Sequence, residues 1–104
     1  MIEAVNNYGY TALHLAAGKD KDAVATQLLN AKANVNAVNN YGSTPLHYAA
    51  VNGSAVVADL LLSANASTKA VTKNGKTPAQ WAEHGVHREL AERLRQAESR
   101  DAST

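Results

Sequence analysis

The sequence predicts an all-α solenoid in which helix-loop-helix units stack side by side and are joined by hairpin-like loops. Two observations lead to this fold class. A period of 33 residues runs through the chain without a gap, and each period holds turn-forming residues followed by two stretches with helical spacing of apolar residues. Stacked units of this size bury a continuous core that one unit could not bury alone.

The period divides the chain into three units and a short leading segment. The units are residues 6–38, 39–71 and 72–104, and residues 1–5 match the register of a unit's tail, so we assign them to the end of a preceding unit. The first two units agree at about half of their positions. With 45% hydrophobic and 18% charged residues, we expect one folded domain that spans 1–104.

Each unit begins with a turn and a short helix. The motifs Asn-Asn-Tyr-Gly and Lys-Asn-Gly favour tight turns, with the glycine at positions 9, 42 and 75. A threonine two residues later can cap a helix. In two units a proline follows at the first helical position, where no N–H is needed. The capping residues are Thr11, Thr44 and Thr77, and the prolines are Pro45 and Pro78.

A longer helix follows in each unit. Apolar residues at 24, 25, 28 and 29, and again at 57, 58, 61 and 62, form the stripe of one buried face. In the third unit, the stretch from His87 to about Glu98 keeps one apolar edge and is otherwise rich in arginine and glutamate. We expect this last helix to cap the stack and to turn a polar face to water.

These motifs resemble the signature of the ankyrin repeat family. The matching segments are Thr-Ala-Leu-His-Leu-Ala-Ala at 11–17, Thr-Pro-Leu-His-Tyr-Ala-Ala at 44–50 and the tail Ala-x-Ala-x-Val-Asn-Ala at 31–37. The resemblance covers the whole chain in one register. It has departures, since residues other than glycine stand where the family usually places a helix-ending or inter-helix glycine: Lys32 and Asn65, then Asp20 and Val86.

Composition and motifs exclude several function classes. The absence of cysteine excludes disulfides, a thiol nucleophile and a Cys-based zinc site. Ten basic against nine acidic residues lack the clustered basic field of a nucleic-acid binder. The longest apolar stretch, 56–62, is interrupted by Asp59 and is too short to insert into a membrane. We expect no enzyme activity and no cofactor.

The four histidines do not indicate a catalytic or metal site. His14 and His47 lie one unit apart beside a threonine, and the resemblance implies that each forms a hydrogen bond that ties neighbouring loops. His84 and His87 have a spacing that could hold a metal, but no third ligand stands nearby outside a charge-rich, solvated helix. We therefore expect no metal site.

The remaining function class is recognition. We expect a non-catalytic module that binds a protein partner through its loop tips and its concave inner-helix face, since the resemblance implies contacts at the loops and at the ends of the first helices. Tyrosine is common at interfaces, although Tyr8 and Tyr41 could instead pack on the neighbouring loop. We expect Tyr48 and Trp81 in the core. The candidate contact residues are Asn7, Tyr8, Tyr10, Lys19, Asn40, Tyr41, Ser43, Val51, Asn52, Lys73, Asn74, Lys76 and His84.

An alternative function is purely structural. The chain could be a scaffold without a dedicated partner, either a fragment of a larger ankyrin protein or a designed repeat protein. No basic and apolar leader follows Met1, so we expect an intracellular protein, in the cytoplasm or the nucleus. We expect a monomer whose protein partner the sequence does not identify.

Overall fold

The protein forms three stacked pairs of helices. The computed structural model describes residues 5–85 and 87–102, with side chains up to residue 100, so 1–4 of the tail assigned to a preceding unit and Val86 lie outside the described residues. The described residues contain no strand and six helices: α1 (Ala12–Gly18), α2 (Asp22–Asn30), α3 (Pro45–Val51), α4 (Ala55–Ser63), α5 (Pro78–His84) and α6 (Arg88–Ala102). The predicted all-α fold of paired helices is confirmed.

The inner helices α1, α3 and α5 begin where their capping residues predict. Thr44 accepts a hydrogen bond from the backbone N–H of His47, and the His47 ring accepts one from the backbone N–H of Thr44. Thr11 and Thr77 form the same reciprocal cap with the residue three positions later. Such a capping box satisfies two N–H groups that the first turn of a helix leaves unpaired.

The inner helices pack side by side and form the main layer of the core. Helix α3 contacts α1 on one side and α5 on the other. Small residues at the contact, such as Ala49 and Ala50, are fully buried and let the helices approach closely. Leu13 and Leu46 are buried in the same hydrophobic core. The stack is thus held together by an unbroken apolar layer.

The outer helices α2 and α4 differ in how much of their apolar stripe is buried. In α4 the predicted stripe is buried at Val57, Ala58 and Leu61. In α2 only Ala25 is buried, and Val24 is 44% exposed. The prediction that Val24 lies on a buried face is therefore wrong. Leu28 and Leu29 of α2 are partly buried against the core, and among the described helices α2 has its main contacts with α1 of its own repeat and with α4 of the next.

Helix α6 runs from Arg88 to Ala102 and so ends four residues beyond Glu98, the end that the sequence predicts. Its apolar edge is buried at Leu90, Ala91, Leu94 and Ala97, and its main helix contact is with α5 of the same repeat. Its charged side chains face outward, where two arginines reach neighbouring helices. Arg93 pairs with Asp59 of α4, and Arg95 pairs with Glu83 of α5.

Three residues that replace a family glycine still adopt the glycine conformation. Asp20, Lys32 and Asn65 have φ angles of 57°, 69° and 67°, in the left-handed region. The loops therefore keep the geometry that the resemblance implies, at a cost in backbone strain for each side chain.

Candidate protein-binding surface

The three turns, at residues 5–10, 38–43 and 71–76, are each organised by one short polar side chain. Asn39 Oδ1 accepts the backbone N–H groups of Tyr41 and Ser43, both at 3.0 Å. Asn6 makes the same two contacts in the first turn, and the Thr72 hydroxyl accepts one such bond in the third. The conformation of each turn is therefore fixed locally.

Adjacent turns are also hydrogen-bonded to each other. The Asn40 N–H donates to the Tyr8 carbonyl at 2.9 Å, and the Lys73 N–H donates to the Tyr41 carbonyl at 3.1 Å. The Asn40 side-chain amide also reaches the Asn7 carbonyl at 3.3 Å. The three turns form one continuous, ordered strip, which we call the turn edge.

Two buried histidines connect the inner helices to the next turn. The Nε2 of His14 donates to the Ser43 carbonyl at 2.8 Å, and the Nε2 of His47 donates to the Lys76 carbonyl at 2.8 Å. We assign the proton to Nε2 because each Nδ1 accepts a backbone N–H. Burial lowers the pKa of both rings, which favours this neutral form. The predicted loop-tying hydrogen bonds are confirmed, and these histidines serve the fold.

The structure brings most of the predicted contact residues to the turn edge and to the C-terminal ends of the inner helices. Tyr10 and Val51 are half-buried. Tyr8 and Tyr41 are 57% and 52% exposed, so neither is covered by the neighbouring loop. The exposed members of the set are Asn7, Tyr8, Lys19, Asn40, Tyr41, Asn52, Lys73, Asn74, Lys76 and His84.

Ser43 is the exception among the predicted contact residues. It is 0% exposed, its carbonyl accepts the bond from His14 and its N–H donates to Asn39. The short side chain lies inside the junction between the first helix and the second turn and does not reach solvent. Ser43 therefore belongs to the core of the turn edge, and its assignment as a contact residue is wrong.

An aromatic series crosses all three repeats beside the turn edge. Ring centroids are 6.5 Å apart for Tyr8 and Tyr10, 5.3 Å for Tyr10 and Tyr48, and 5.6 Å for Tyr48 and Trp81. The Tyr48 hydroxyl donates to the Tyr10 hydroxyl at 2.8 Å and accepts from the Asn39 amide at 2.7 Å. The contact with Tyr48 and burial raise the pKa of Tyr10 to about 12.

Tyr48 and Trp81 were expected in the core, and the structure corrects this in part. Both pack against the buried core but remain half-exposed. Leu15 occupies the same position in the first repeat and is exposed. The sequence contains a signal for this surface, because one position of a common scaffold carries leucine, tyrosine and tryptophan in turn.

Three valines at the turn edge were missed by sequence reasoning. Val5, Val38 and Val71 lie one repeat apart at the entry of each turn, and all three are exposed. The signal was available, since an apolar residue recurs at the same position of an otherwise polar turn. These valines extend the exposed apolar surface along the turn edge.

His84 and His87 have separate environments. His87 is half-buried and its Nε2 donates to the Val51 carbonyl at 3.1 Å. A Cβ at Gly53 would come within 2.6 Å of the His87 ring, so the ring fills a tight space between repeats. His84 is exposed and lines a groove. The described residues contain no group of three His, Asp or Glu side chains placed to hold a metal ion.

None of the helices in the described ranges is long and apolar enough to cross a bilayer.

Compared with protein families, the chain matches a model described as ankyrin repeats (3 copies), over residues 1–72 and again over residues 20–103. Compared with the curated proteins, it has no significant match. Ankyrin repeats generally act as protein-protein interaction modules and are typically non-catalytic.

Proposed function

Since the chain belongs to the ankyrin repeat family, we propose that it is a non-catalytic module that binds a protein partner through the turn edge and the exposed side of the inner helices. The observation that carries this proposal is the placement of exposed apolar side chains. Among the described residues, the turn edge and α1 hold six of the eight large exposed ones: Val5, Tyr8, Leu15, Val38, Tyr41 and Val71. The other two, Val24 and Val56, lie on outer helices.

The exposed apolar residues make this surface suitable for binding a protein partner. Single exposed apolar residues are common on any protein, but a contiguous row of them is typical of an interaction site. Tyrosines at its tips provide large and stiff contact area. The opposite, outer-helix surface carries paired charges such as Arg95 with Glu92 at 3.0 Å, which suit contact with water.

The turn edge is also preorganised. Its backbone is fixed by bonds within each turn, by bonds between turns and by the two inner histidines. A surface that is already ordered loses little conformational entropy when a partner binds. This order favours binding by the turn edge without a preceding folding step.

We further propose that the protein acts as a monomer inside the cell, in the cytoplasm or the nucleus. Binding proteins of this type need no cofactor, so the partner alone completes the function. The alternative, a structural scaffold or a piece of a larger repeat protein without its own partner, makes the opposite prediction in the experiment that follows.

Site-specific photo-crosslinking in cell lysate tests the proposal. A photoreactive phenylalanine analogue replaces Tyr41 in one variant, Tyr8 in a second, and Glu89, on the outer face of α6, in the control. We expect a discrete crosslinked protein from position 41 and none from position 89. Equal crosslinking at both positions would contradict the assigned surface, and no crosslink at position 41 or at position 8 would favour the scaffold.

A further inference from the structure

A groove of about 350 Å³ lies next to the turn edge where the second and third repeats meet. Val51 of α3 contributes from the second repeat, and Trp81 of α5 is the largest side chain in the lining. Both are half-buried. The polar lining residues are Asn74, Lys76, Gln80 and His84. This volume lies at the low end of the range for binding pockets, roughly 300–1,000 Å³.

The apolar part of the groove continues the aromatic series. Trp81 contacts the Tyr48 ring edge-on, with an interplanar angle of 89°, and Tyr48 in turn contacts Tyr10. A partner segment lying along the inner face would therefore meet aromatic surface from the first turn to the groove. The Trp81 indole N–H has no hydrogen-bond partner within the described part of the chain, so it remains able to donate to such a segment.

The charge around the groove has one sign. Lys76 is the only lysine, arginine, aspartate or glutamate in the described lining, and Lys73 is exposed on the same turn. Over the described residues, neither lysine is within ion-pair distance of a carboxylate. The nearby acidic residue of α5, Glu83, is held by Arg95 on the side of α6. The groove therefore combines aromatic surface with unneutralised positive charge.

We propose that this groove binds an extended segment of the protein partner in which an apolar side chain stands next to aspartate or glutamate. The apolar side chain packs on Trp81 and Val51, and the carboxylate faces Lys76 and Lys73. Asn74 and Gln80 provide amide groups that can bond the segment's backbone. This inference rests on the proposed function and specifies the chemistry of the partner at that surface.

Single-stranded nucleic acid also combines negative charge with groups that stack on aromatic rings. The groove favours a peptide because its described lining holds one lysine and no arginine, with Lys73 beside it on the same turn, and the whole chain has a formal net charge of only +1. Nucleic-acid binding usually requires a basic stripe that follows many phosphates.

Trp81 is the single tryptophan of the chain, so its fluorescence reports directly on the groove. The 104-residue chain is used to select from a display library of short random peptides. We expect the selected peptides to combine an apolar residue with neighbouring Asp or Glu, and their synthetic forms to shift Trp81 emission. Neutral or basic peptides, no selected peptide, or binding without a change in Trp81 emission would each overturn the inference.

Matched variants test the role of charge. Lys76→Glu changes an exposed side chain and leaves the carbonyl that accepts from His47 in place. We expect it to weaken binding of the selected peptide about tenfold or more, whereas Glu89→Lys on α6 leaves binding unchanged. Replacing Asp or Glu of the peptide by Asn or Gln should also weaken its binding. If neither charge change alters affinity, or if oligothymidine competes as well as the peptide, the inference is wrong.

The failure of this inference can be separated from failure of the proposed function. If Lys76→Glu does not change the affinity for the protein crosslinked from position 41, the partner binds the turn edge without using the groove, and only the further inference fails. If no protein is crosslinked from the turn edge at all, both the proposed function and the further inference fail.

Discussion

The turn edge and the outer helices have different kinds of surface. The turn edge exposes tyrosines and valines on a backbone held by hydrogen bonds between repeats. The outer helices α4 and α6 bury leucines on one side and pair arginine with aspartate or glutamate on the other. In the proposed function the partner contacts the turn edge, whereas the buried leucines of α4 and α6 contribute to the hydrophobic core. Substitutions should therefore separate partner binding from stability.

The largest expected effect is loss of stability from the outer helices. Leu61 of α4 and Leu94 of α6 are both 0% exposed. Truncating a buried leucine leaves a cavity and typically costs about 2 to 5 kcal/mol. We expect Leu61→Ala and Leu94→Ala to lower the free energy of unfolding within this range, measured by denaturant titration. Leu28→Ala is the control, because Leu28 of α2 is only half-buried. A larger loss at Leu28 would contradict the burial order.

Alanine substitutions at two glycines of the turn edge test the effects of backbone strain and of packing between turns separately. Gly42 and Gly75 have φ angles of 77° and 78°. A Cβ at Gly42 would approach the Lys73 nitrogen at 3.0 Å, whereas one at Gly75 would meet no atom within 4 Å. Both alanine variants should lose roughly 1 to 2 kcal/mol from the left-handed backbone. We expect Gly42→Ala to lose more in thermal melts, and equal losses would show that the contact between turns is unimportant.

A smaller, pH-dependent effect is expected from the inner histidines. Their folded-state pKa lies below the ordinary value of 6.5, so the unfolded chain binds protons first as pH falls. The stabilisation is therefore complete above about pH 6.5 and is lost as pH decreases toward the folded-state pKa. We expect the unfolding free energy to fall in that window.

His47→Gln tests the source of this pH dependence. Gln80 of the third repeat already caps its helix by accepting the Thr77 N–H at 2.9 Å, so glutamine can replace histidine in the cap. The variant should have a flatter stability profile below pH 6.5 than the unmodified protein. An unchanged profile would mean that the titration of His47 does not contribute.

The smallest predicted change is a gain in stability at a helix end. Lys32 has a φ angle of 69°, which costs a residue with a side chain roughly 1 kcal/mol. Lys32→Gly should raise the free energy of unfolding by about this amount and leave partner binding unchanged. Lys32→Ala is the control, since it retains a Cβ and should give no gain. A similar gain in the free energy of unfolding for Lys32→Ala would show that removal of the lysine charge, and not relief of backbone strain, causes the effect.

Much of the fold could be predicted from periodicity and local chemistry. The caps at Thr11, Thr44 and Thr77 follow from the short range over which a hydroxyl can reach a helix N-terminus. The exposure of Val24 could not be predicted, because it depends on whether another repeat covers α2. Periodicity identifies a face of the helix but not its neighbour.

The candidate surface was less predictable from the sequence. The exposed tips such as Tyr41 follow from their position in a turn, but Ser43 in the same turn is buried by its contacts with Asn39 and the His14 ring. The half-exposure of Trp81 depends on the packing of α3 against α5. These features arise between repeats, so a pattern read within one repeat cannot determine them.

One titration experiment compares the two sides of the stack directly. With the protein crosslinked from position 41 as ligand, calorimetry measures the affinity of Tyr8→Ala/Tyr41→Ala and of Glu89→Lys/Glu92→Lys, while melts record their stability. Central interface anchors carry about 2 kcal/mol or more each. The loss of one such anchor corresponds to about 30-fold in affinity, so we predict that the tyrosine pair loses well over this factor with little change in stability, and that the outer-face pair retains affinity. Strong binding without the tyrosines, or weak binding after the outer-face change, would show that the turn edge is not the contact surface.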